Sequence, residues 1–475
     1  MDVHVSLVGR KDLSGEIYRQ LRRAIIEGRL KPGQVLPASR ELAQRLSVAR
    51  TTVIGAYDRL TGEGLVTSRV GAGTFVSRQV ARAPHGTRRR GGPGALRPRV
   101  VWESIPLPMA FDRVATFDFR TGIPDAALFP HQRWRRFLAR ELRSETGRAG
   151  VYAHPAGLQS LREAIAQHIA VSRAVEATAD DVIITNGTQQ AIDLVARVLL
   201  APGERAAVED PGYPPPRRLL ESLGARVVGV PVDREGLVVD ALPRATRVVY
   251  VTPSHQWPLG GSMSLSRRMA LLDWAERNDA AIIEDDYDSE FRFQGRPIEP
   301  LQTLDTSGRV VYVGSFSKTM LPTLRLGFVV TPASLRAAMH RAKYVADWHT
   351  STLQQAALAR FIEDGEFSRH LRRIGQVYRA RHELVTVILT TDFADHLEVL
   401  PSAAGLHIAA LARTASRDRM EDVARRASEA GVEVQLLSRF GVDAPGPPGL
   451  LLGYGAIATA QIAEGLRRLK ACFDR

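Results

Sequence analysis

The sequence predicts two folds in one chain: a winged helix-turn-helix at the N-terminus, then a larger α/β domain around a mostly parallel sheet. Three observations predict this. The first 78 residues read helix, short helix, helix, glycine-centred hairpin. From about residue 115, continuous apolar runs alternate with helical patterns, the signature of βα units with strands buried on both faces. Finally, the net charge of +13 is unevenly placed: residues 1–110 hold 19 Lys+Arg against 8 Asp+Glu, leaving 45 and 43 for the other 365. An evenly Arg-rich composition would spread that excess, whereas a basic N-terminal module is the footprint of nucleic-acid binding.

In the first module, residues 1–78, "SGEIYRQLRRAIIEGRLKPG" is an amphipathic helix with Ile17, Leu21, Ala24 and Ile25 on one face, ended by Gly28 and Pro32-Gly33. "LPASRELAQRLSV" is a shorter helix that Ser39 is placed to cap. "ARTTVIGAYDRLTGEG" is a third, with Val53, Tyr57 and Leu60 spaced i, i+4, i+7 and Gly62 and Gly64 at its end. "LVTSRVGAGTFVS" alternates as two short strands around a glycine turn. In such an arrangement the third helix enters the major groove of double-stranded DNA, with Arg50, Thr51 and Thr52 at its leading end. Arginine reads guanine bidentately, and threonine and backbone N–H groups hold phosphates. Gly71 and Gly73 let the wing approach a backbone closely. The competing reading of the pattern is a small helical protein-interaction domain.

The stretch "IYRQLRRAIIEGRLKPGQVLPASRELAQRLSVARTTVIGAYDRLTGEGLV" closely resembles the GntR-type DNA-binding domain. That resemblance implies Ser39, Arg40, Arg50, Thr51 and Thr52 as DNA contacts. Residues 79–114 follow as a basic linker. "ARAPHGTRRRGGPGALRPR" is dominated by Arg, Gly and Pro, with little to bury, and reads as a flexible, solvated tether.

The bulk numbers bound the rest. A chain of 475 residues, 44% hydrophobic, holds two or three globular domains. A single cysteine, Cys472, excludes an internal disulfide framework and fits a reducing cytoplasm. The opening MDVHVSLVGRK has no apolar signal-peptide core, and no run reaches the roughly 18 apolar residues of a membrane span. The expectation is a cytoplasmic protein with no membrane partner.

In the large module, residues 115–475, every polar motif falls where an apolar run ends. In a parallel sheet that edge is where ligands sit. "TNGTQQA" puts Gly187 and Thr188 at a helix start, where free N–H groups suit a phosphate; a plain helix cap reads equally well. "EDPGYPP" puts Tyr213 in a turn, as a plate for a planar ring or simply a turn aromatic. "IIEDDYDSEF" ends a run with Asp285, Asp286 and Tyr287. These read as a solvated loop, or as a carboxylate for a protonated ring nitrogen; no His or Cys joins them at metal-ligand spacing, so no metal is expected. "VVYVGSFSKTM" supplies Ser315, Ser317 and Lys318, with Arg325 just beyond. Lys318 is one of only five lysines against 59 arginines, and only an amine, not a guanidinium, condenses with a carbonyl. A lysine, an acid, a phosphate cup and an aromatic plate in this order compose a pyridoxal 5'-phosphate site.

"YAHPAGLQSLREAIAQHI", "TNGTQQAIDL", "EDPGYPP", "TPSHQWPLG", "IIEDDYDSEF" and "SFSKTMLPTLRLGF" resemble the fold-type I aminotransferases over nearly the whole module. Joined to a GntR-like winged helix, this is the layout of the MocR/GabR regulators. The resemblance implies that Lys318 forms the internal aldimine, Asp285 pairs with the pyridine nitrogen and Tyr287 approaches the ring hydroxyl. It further implies that Tyr213 stacks on the ring and that Gly187, Thr188, Ser315, Ser317 and Arg325 hold the phosphate. Tyr152 would reach in from the partner of a head-to-tail, domain-swapped homodimer. Two departures stand out. Trp257 replaces the usual Asn of "NPTG", with His255 and Gln256 as candidate substitutes. Leu451, in "GLLLGYG", stands where the enzymes have an Arg that clamps the substrate carboxylate. The expected function is a DNA-binding transcriptional regulator sensing an amine effector or pyridoxal 5'-phosphate itself, with control of vitamin B6 synthesis, as in the PdxR branch, one subtype. The alternative is an active aminotransferase with an appended DNA-binding module.

Overall fold

The structure is a computed structural model that describes residues 12–69, 71–78, 97–107, 115–144, 150–295 and 299–474. It divides into two compact units, Met1–Arg97 and Pro98–Arg475. Among the described residues no helix is long and apolar enough to cross a membrane.

In the first unit, helices Leu13–Ile26, Ser39–Leu46 and Arg50–Gly62 precede a hairpin of β1 (Val66–Arg69) and β2 (Gly73–Val76). Helical spacing of apolar residues explains the packing: Ile17, Leu21 and Ile25 meet Leu42, Val53, Tyr57 and Leu60 in one buried cluster. The hairpin closes on it with Val66 and Val76, which pair across the strands. Asp12 caps the first helix through Gly15 N–H at 2.9 Å. The second helix corrects the reading of Ser39. Capping requires the flanking, non-helical position, and Ala38 occupies it without a side-chain bond. Ser39 is already the first helical residue, and its hydroxyl accepts from Arg50 Nε at 3.3 Å instead.

The expected linker lies largely outside the described residues. Part of it, residues 97–107, includes a short helix Val100–Ser104, and Arg99 Nη2 donates to the Ser222 carbonyl at 2.7 Å. This end of the expected tether is therefore docked on the second unit; the Arg/Gly/Pro bias that suggested a free tether stops before Val100, Val101 and Trp102.

The strands of the second unit are, in chain order, β3 (Phe117–Asp118), β4 (Val182–Thr185), β5 (Arg205–Asp210), β6 (Arg226–Asp233), β7 (Gly236–Leu237), β8 (Thr246–Val251), β9 (Ala281–Asp286), β10 (Val310–Ser315), β11 (Gly327–Val330), β12 (Leu397–Val399), β13 (His407–Ala412), β14 (Val432–Glu433), β15 (Gln435–Leu436) and β16 (Gly449–Gly453). Eight form one sheet in the order β4-β11-β10-β9-β8-β5-β6-β7. The pairs β6·β5, β5·β8, β8·β9 and β9·β10 are parallel, while β11 and β7 run against their neighbours. Side chains alternate across the sheet, and both faces are buried. Val248, Tyr250, Ile283 and Val311 pack with helix Thr188–Leu199. Val249, Val251 and Ile282 pack on the other face with Leu271 and Trp274 of helix Leu265–Arg277. Hence these strands read as unbroken apolar runs rather than alternations.

A smaller antiparallel sheet, β12-β13-β16-β15, carries the C-terminal part. Its core joins Ile408, Leu450 and Leu452 to Tyr378, Val385 and Leu389 of helix Glu366–Asp392 and Leu466 of helix Thr459–Lys470.

Candidate functional site

The carboxyl edge of the eight-stranded sheet gathers the chemistry. β4 leads to Gly187, β5 to Tyr213, β8 to His255 and Trp257, β9 ends at Asp285 and Asp286, and β10 leads to Lys318. This is where short βα loops of a parallel sheet bring distant polar residues together.

Strand parity assigns the two aspartates. Asp285 shares a face with Ile283 and Tyr250, and its Oδ2 accepts from the Tyr250 hydroxyl at 2.7 Å. Its Oδ1 is buried with no partner, a costly state that points to an absent donor. Burial pushes the Asp285 carboxyl up to about 7, helped by Asp286 and Asp288 and opposed by the Tyr250 bond and Lys318. Asp286 points to the opposite face, where Arg173 Nε (2.9 Å) and the Tyr312 hydroxyl (2.7 Å) donate to its Oδ2. Its Oδ1 is likewise buried without a partner, so it is the face shared with Tyr250 and the interaction with Lys318, not the orphaned oxygen alone, that single out Asp285.

Lys318 Nζ donates to the Gly122 carbonyl at 2.6 Å. Burial lowers its pKa, against the pull of Asp288 and Asp285, which favours the neutral, nucleophilic amine. Gly122 adopts φ +80, and a Cβ there would stand 3.3 Å from Nζ, so the close approach depends on glycine.

The anion cup forms at the start of helix Thr188–Leu199. Gly187 is its N-cap at φ +80, and a Cβ there would meet the Arg325 guanidinium at 3.2–3.4 Å. Arg325 Nη2 donates to the Asn186 carbonyl at 2.5 Å, with no carboxylate partner among the described residues. The Ser315 and Ser317 hydroxyls lie 2.9 Å apart, and Ser317 N–H donates to Ser315 Oγ at 3.1 Å. A helix N-terminus, a guanidinium without a carboxylate partner among the described residues and two hydroxyls suit a phosphate. Tyr213 meets the Trp257 ring edge-on at 5.5 Å. Burial of its hydroxyl pushes the phenol up to about 12, Asp285 adding to the shift and Arg325 opposing it.

Tyr287 lies on the loop after β9, beside His255. Its hydroxyl donates to the His255 carbonyl at 2.9 Å and lies 3.1 Å from His255 Nδ1. His255 Nδ1 also lies 3.0 Å from Asp288, and its Nε2 3.2 Å from Ser402 Oγ. Gln256 is no spare amide: its Nε2 donates to the Pro211 and Trp257 carbonyls. Leu451 is buried with Trp257, Ala409, Leu437 and Phe440.

Tyr152 is 73% exposed and stacked on Trp348 at 4.3 Å. In the first unit Arg40, Arg50 and Thr51 are exposed and Thr52 is half-buried. Among the described residues Arg40 and Arg50 have no carboxylate partner. Gly71 (φ +77) and Gly73 (φ +107) take the left-handed backbone of the wing turn.

Sequence reading missed Tyr250, Gly122, Asp288 and His407. None of the four carries a local sequence signal of its place in the site. His407 belongs to the small sheet and stacks on His255 at 4.5 Å. Burial first, then His255 and Lys318, holds its pKa well below the usual range. His255, Asp288 and His407 are close enough to share a cation, a grouping no local spacing announces; the direct His255–Asp288 contact already occupies part of that set.

Pyridoxal 5'-phosphate fits these residues. The orphaned Asp285 oxygen would hold the ring nitrogen, the Gly187–Arg325 cradle the phosphate, and Lys318 the aldehyde carbon. When bound, that group would supply an electrophilic carbon and an electron sink.

The sequence matches the aminotransferase class I and II family over residues 117–469 and the gntR family of bacterial regulatory proteins over residues 13–76. The probable rhizopine catabolism regulatory protein MocR of Rhizobium meliloti is 38% identical, over 96% of this chain and 93% of its own. The HTH-type pyridoxine biosynthesis transcriptional regulator PdxR of Corynebacterium glutamicum is 32% identical, over 93% and 91%. Among solved structures, LysN, an alpha-aminoadipate aminotransferase from Thermus thermophilus complexed with N-(5'-phosphopyridoxyl)-L-leucine, aligns with a TM-score of 0.69 and 30% identity, over 75% of this chain and 92% of that one.

Proposed function

The chain belongs to the MocR-type transcriptional regulators, a GntR DNA-binding domain joined to an aminotransferase class I and II domain, and on that premise we propose that it is controlled through pyridoxal 5'-phosphate held at Lys318. The observation that carries the reading is Asp285: one oxygen is held by Tyr250, and the other is buried without a partner beside a lysine of lowered pKa. Gly187, Thr188, Ser315, Ser317 and Arg325 take the phosphate, and Tyr213 covers the ring. An amine effector that displaces Lys318, or the cofactor's own arrival, shifts the population between two arrangements with different operator affinity. Tyr152, exposed on its Trp348 platform, is presented to a second subunit of a domain-swapped homodimer. The boundaries we assign are 1–78 for DNA binding, 79–114 for the linker and 115–475 for the effector domain.

The test is direct. Purified protein mixed with pyridoxal 5'-phosphate and reduced with borohydride should gain one cofactor mass, mapped to Lys318; no gain, or a gain spread over other lysines, rejects the site. Sustained turnover of an amino donor with a keto-acid acceptor would favour the aminotransferase reading instead.

The DNA face yields its own prediction. Arg40→Ala and Arg50→Ala should each weaken binding to duplex DNA. Where the lost contact is to phosphate, the slope of log K against log[salt] should fall by about 1. Fluorescence anisotropy over a salt series checks it, and an unchanged affinity for both variants removes these residues from the interface.

A further inference from the structure

We infer that the effector pocket beside Lys318 selects a primary amine that carries no carboxylate, and that Leu451, Trp257 and His407 impose this choice. The inference rests on the reading that Lys318 holds the cofactor.

These residues adjoin Lys318 through a traceable path. Lys318 Nζ bonds the Gly122 carbonyl. The preceding Arg120–Thr121 backbone packs against Gly453 of β16, where a Cβ would meet Arg120 O at 2.4 Å and Thr121 Cα at 2.8 Å. Gly453 pairs with His407 of β13, and two residues along the same ladder Leu451 pairs with Ala409. Leu451 and Ala409 are fully buried and share one apolar cluster with Trp257, Leu437 and Phe440. Trp257 closes the wall, 4.7 Å from His407, 5.5 Å from Tyr213 and 5.9 Å from Tyr287.

A carboxylate lodged against this wall needs a cation, and three arginines described around the site, Arg325, Arg173 and Arg120, are committed. Arg325 lies in the phosphate cup against Gly187. Arg173 holds Asp286 and Ser254, and Arg120 holds Asp118. Arg439 sits in the turn Leu437–Phe440, whose three-residue period buries Leu437 and Phe440 together and leaves Arg439 exposed. The acids facing Lys318 are Asp285 and Asp288, which repel a second carboxylate and attract an ammonium. Burying an unpaired carboxylate there is strongly unfavourable. What the wall does offer is neutral: Trp257 Nε1 and His407 Nε2 are both buried without partners and suit a hydroxyl or ether oxygen on the amine.

In the exchange, the incoming neutral amine nitrogen takes over the bond to the cofactor carbon. Lys318 Nζ leaves with the proton that nitrogen gives up, and nothing is oxidised or reduced. The readout is Lys318 itself. Full-length protein carrying the cofactor is titrated with phenethylamine against phenylalanine, and ethanolamine against serine, then reduced with borohydride. The Lys318 peptide is weighed for cofactor still attached. Each pair differs only by a carboxylate. We expect the amines to release Lys318 at concentrations lower by about tenfold or more, and Leu451→Arg to narrow or reverse the gap. Should that variant fail to fold, the wild-type pairs decide alone. Amino acids acting at equal or lower concentration, or no amine acting on protein that does carry Lys318-linked cofactor, overturns the inference while the site reading stands. Protein that never acquires the linked cofactor overturns both.

Discussion

Lys318→Ala should abolish borohydride-fixable cofactor altogether, from one equivalent per chain to none. This is the largest effect the structure predicts, because no substitute amine is at hand. The four other lysines are Lys11, Lys31, Lys343 and Lys470. Lys343 is buried, with Nζ donating to Asp347 at 2.5 Å and Gln190 at 3.1 Å, so its amine is engaged rather than free. Lys318→Arg should fail in the same way, since a guanidinium cannot form the bond although it retains the charge. Non-covalent affinity should survive in part through Arg325 and the start of helix Thr188–Leu199. Spectra and equilibrium dialysis would then separate a weakly bound, unlinked cofactor from none at all. If the large domain were an inert relic, Lys318→Ala would leave every ligand response of DNA binding unchanged, and that result would count against control through this lysine.

How far this site could be read from the sequence depends on which residues are local. Lys318, Asp285, Tyr213 and Gly187 each close an apolar run, and a parallel sheet buried on both faces places the ends of such runs along one edge. Order along the chain therefore becomes proximity in space. Period-two alternation also separates Asp285 from Asp286, but only once the strand's faces are known: Tyr250 and Ile283 on one side, Arg173 and Tyr312 on the other. His407 was illegible because it lies on a different sheet, more than a hundred residues from His255 in sequence, and long-range pairings leave no periodicity. Gly122 was illegible for another reason. Its contribution is a carbonyl and a missing Cβ, neither of which has a side-chain signature. Tyr287 is legible as a motif residue, whereas its partner His255 comes from a separate strand end and has no local signal. Ser39 shows the usual one-residue uncertainty of helix ends.

Asp285→Asn should have effects of opposite sign with and without cofactor, and that opposition distinguishes a ligand-binding carboxylate from a structural one. Without cofactor, Asp285 is a buried acid whose pKa rises from 3.8 to about 7. The folded state then holds a proton that the unfolded state releases between about pH 4 and pH 7. Stability therefore falls as pH rises through that window, and above pH 7 the folded protein carries an uncompensated buried charge. Removing the charge should raise the melting temperature of the cofactor-free protein at pH 8, by a free energy on the order of 1 to a few kcal/mol, with little change near pH 4. Glu209 and Glu284 are also buried and pushed up to about 7, and the Asp285 charge adds to the Glu209 shift, so the difference between variant and wild type reports Asp285 together with the relief its loss gives Glu209. With cofactor the sign reverses. The carboxylate is then paired with a protonated ring nitrogen, and the amide that replaces it loses that charge-assisted bond. Affinity for pyridoxal 5'-phosphate should drop by about tenfold to a hundredfold. A purely structural aspartate would leave cofactor affinity unchanged, since the amide's own carbonyl still accepts the Tyr250 hydroxyl. A variant less stable than wild type without cofactor at pH 8, and unchanged in cofactor affinity, would remove Asp285 from the site.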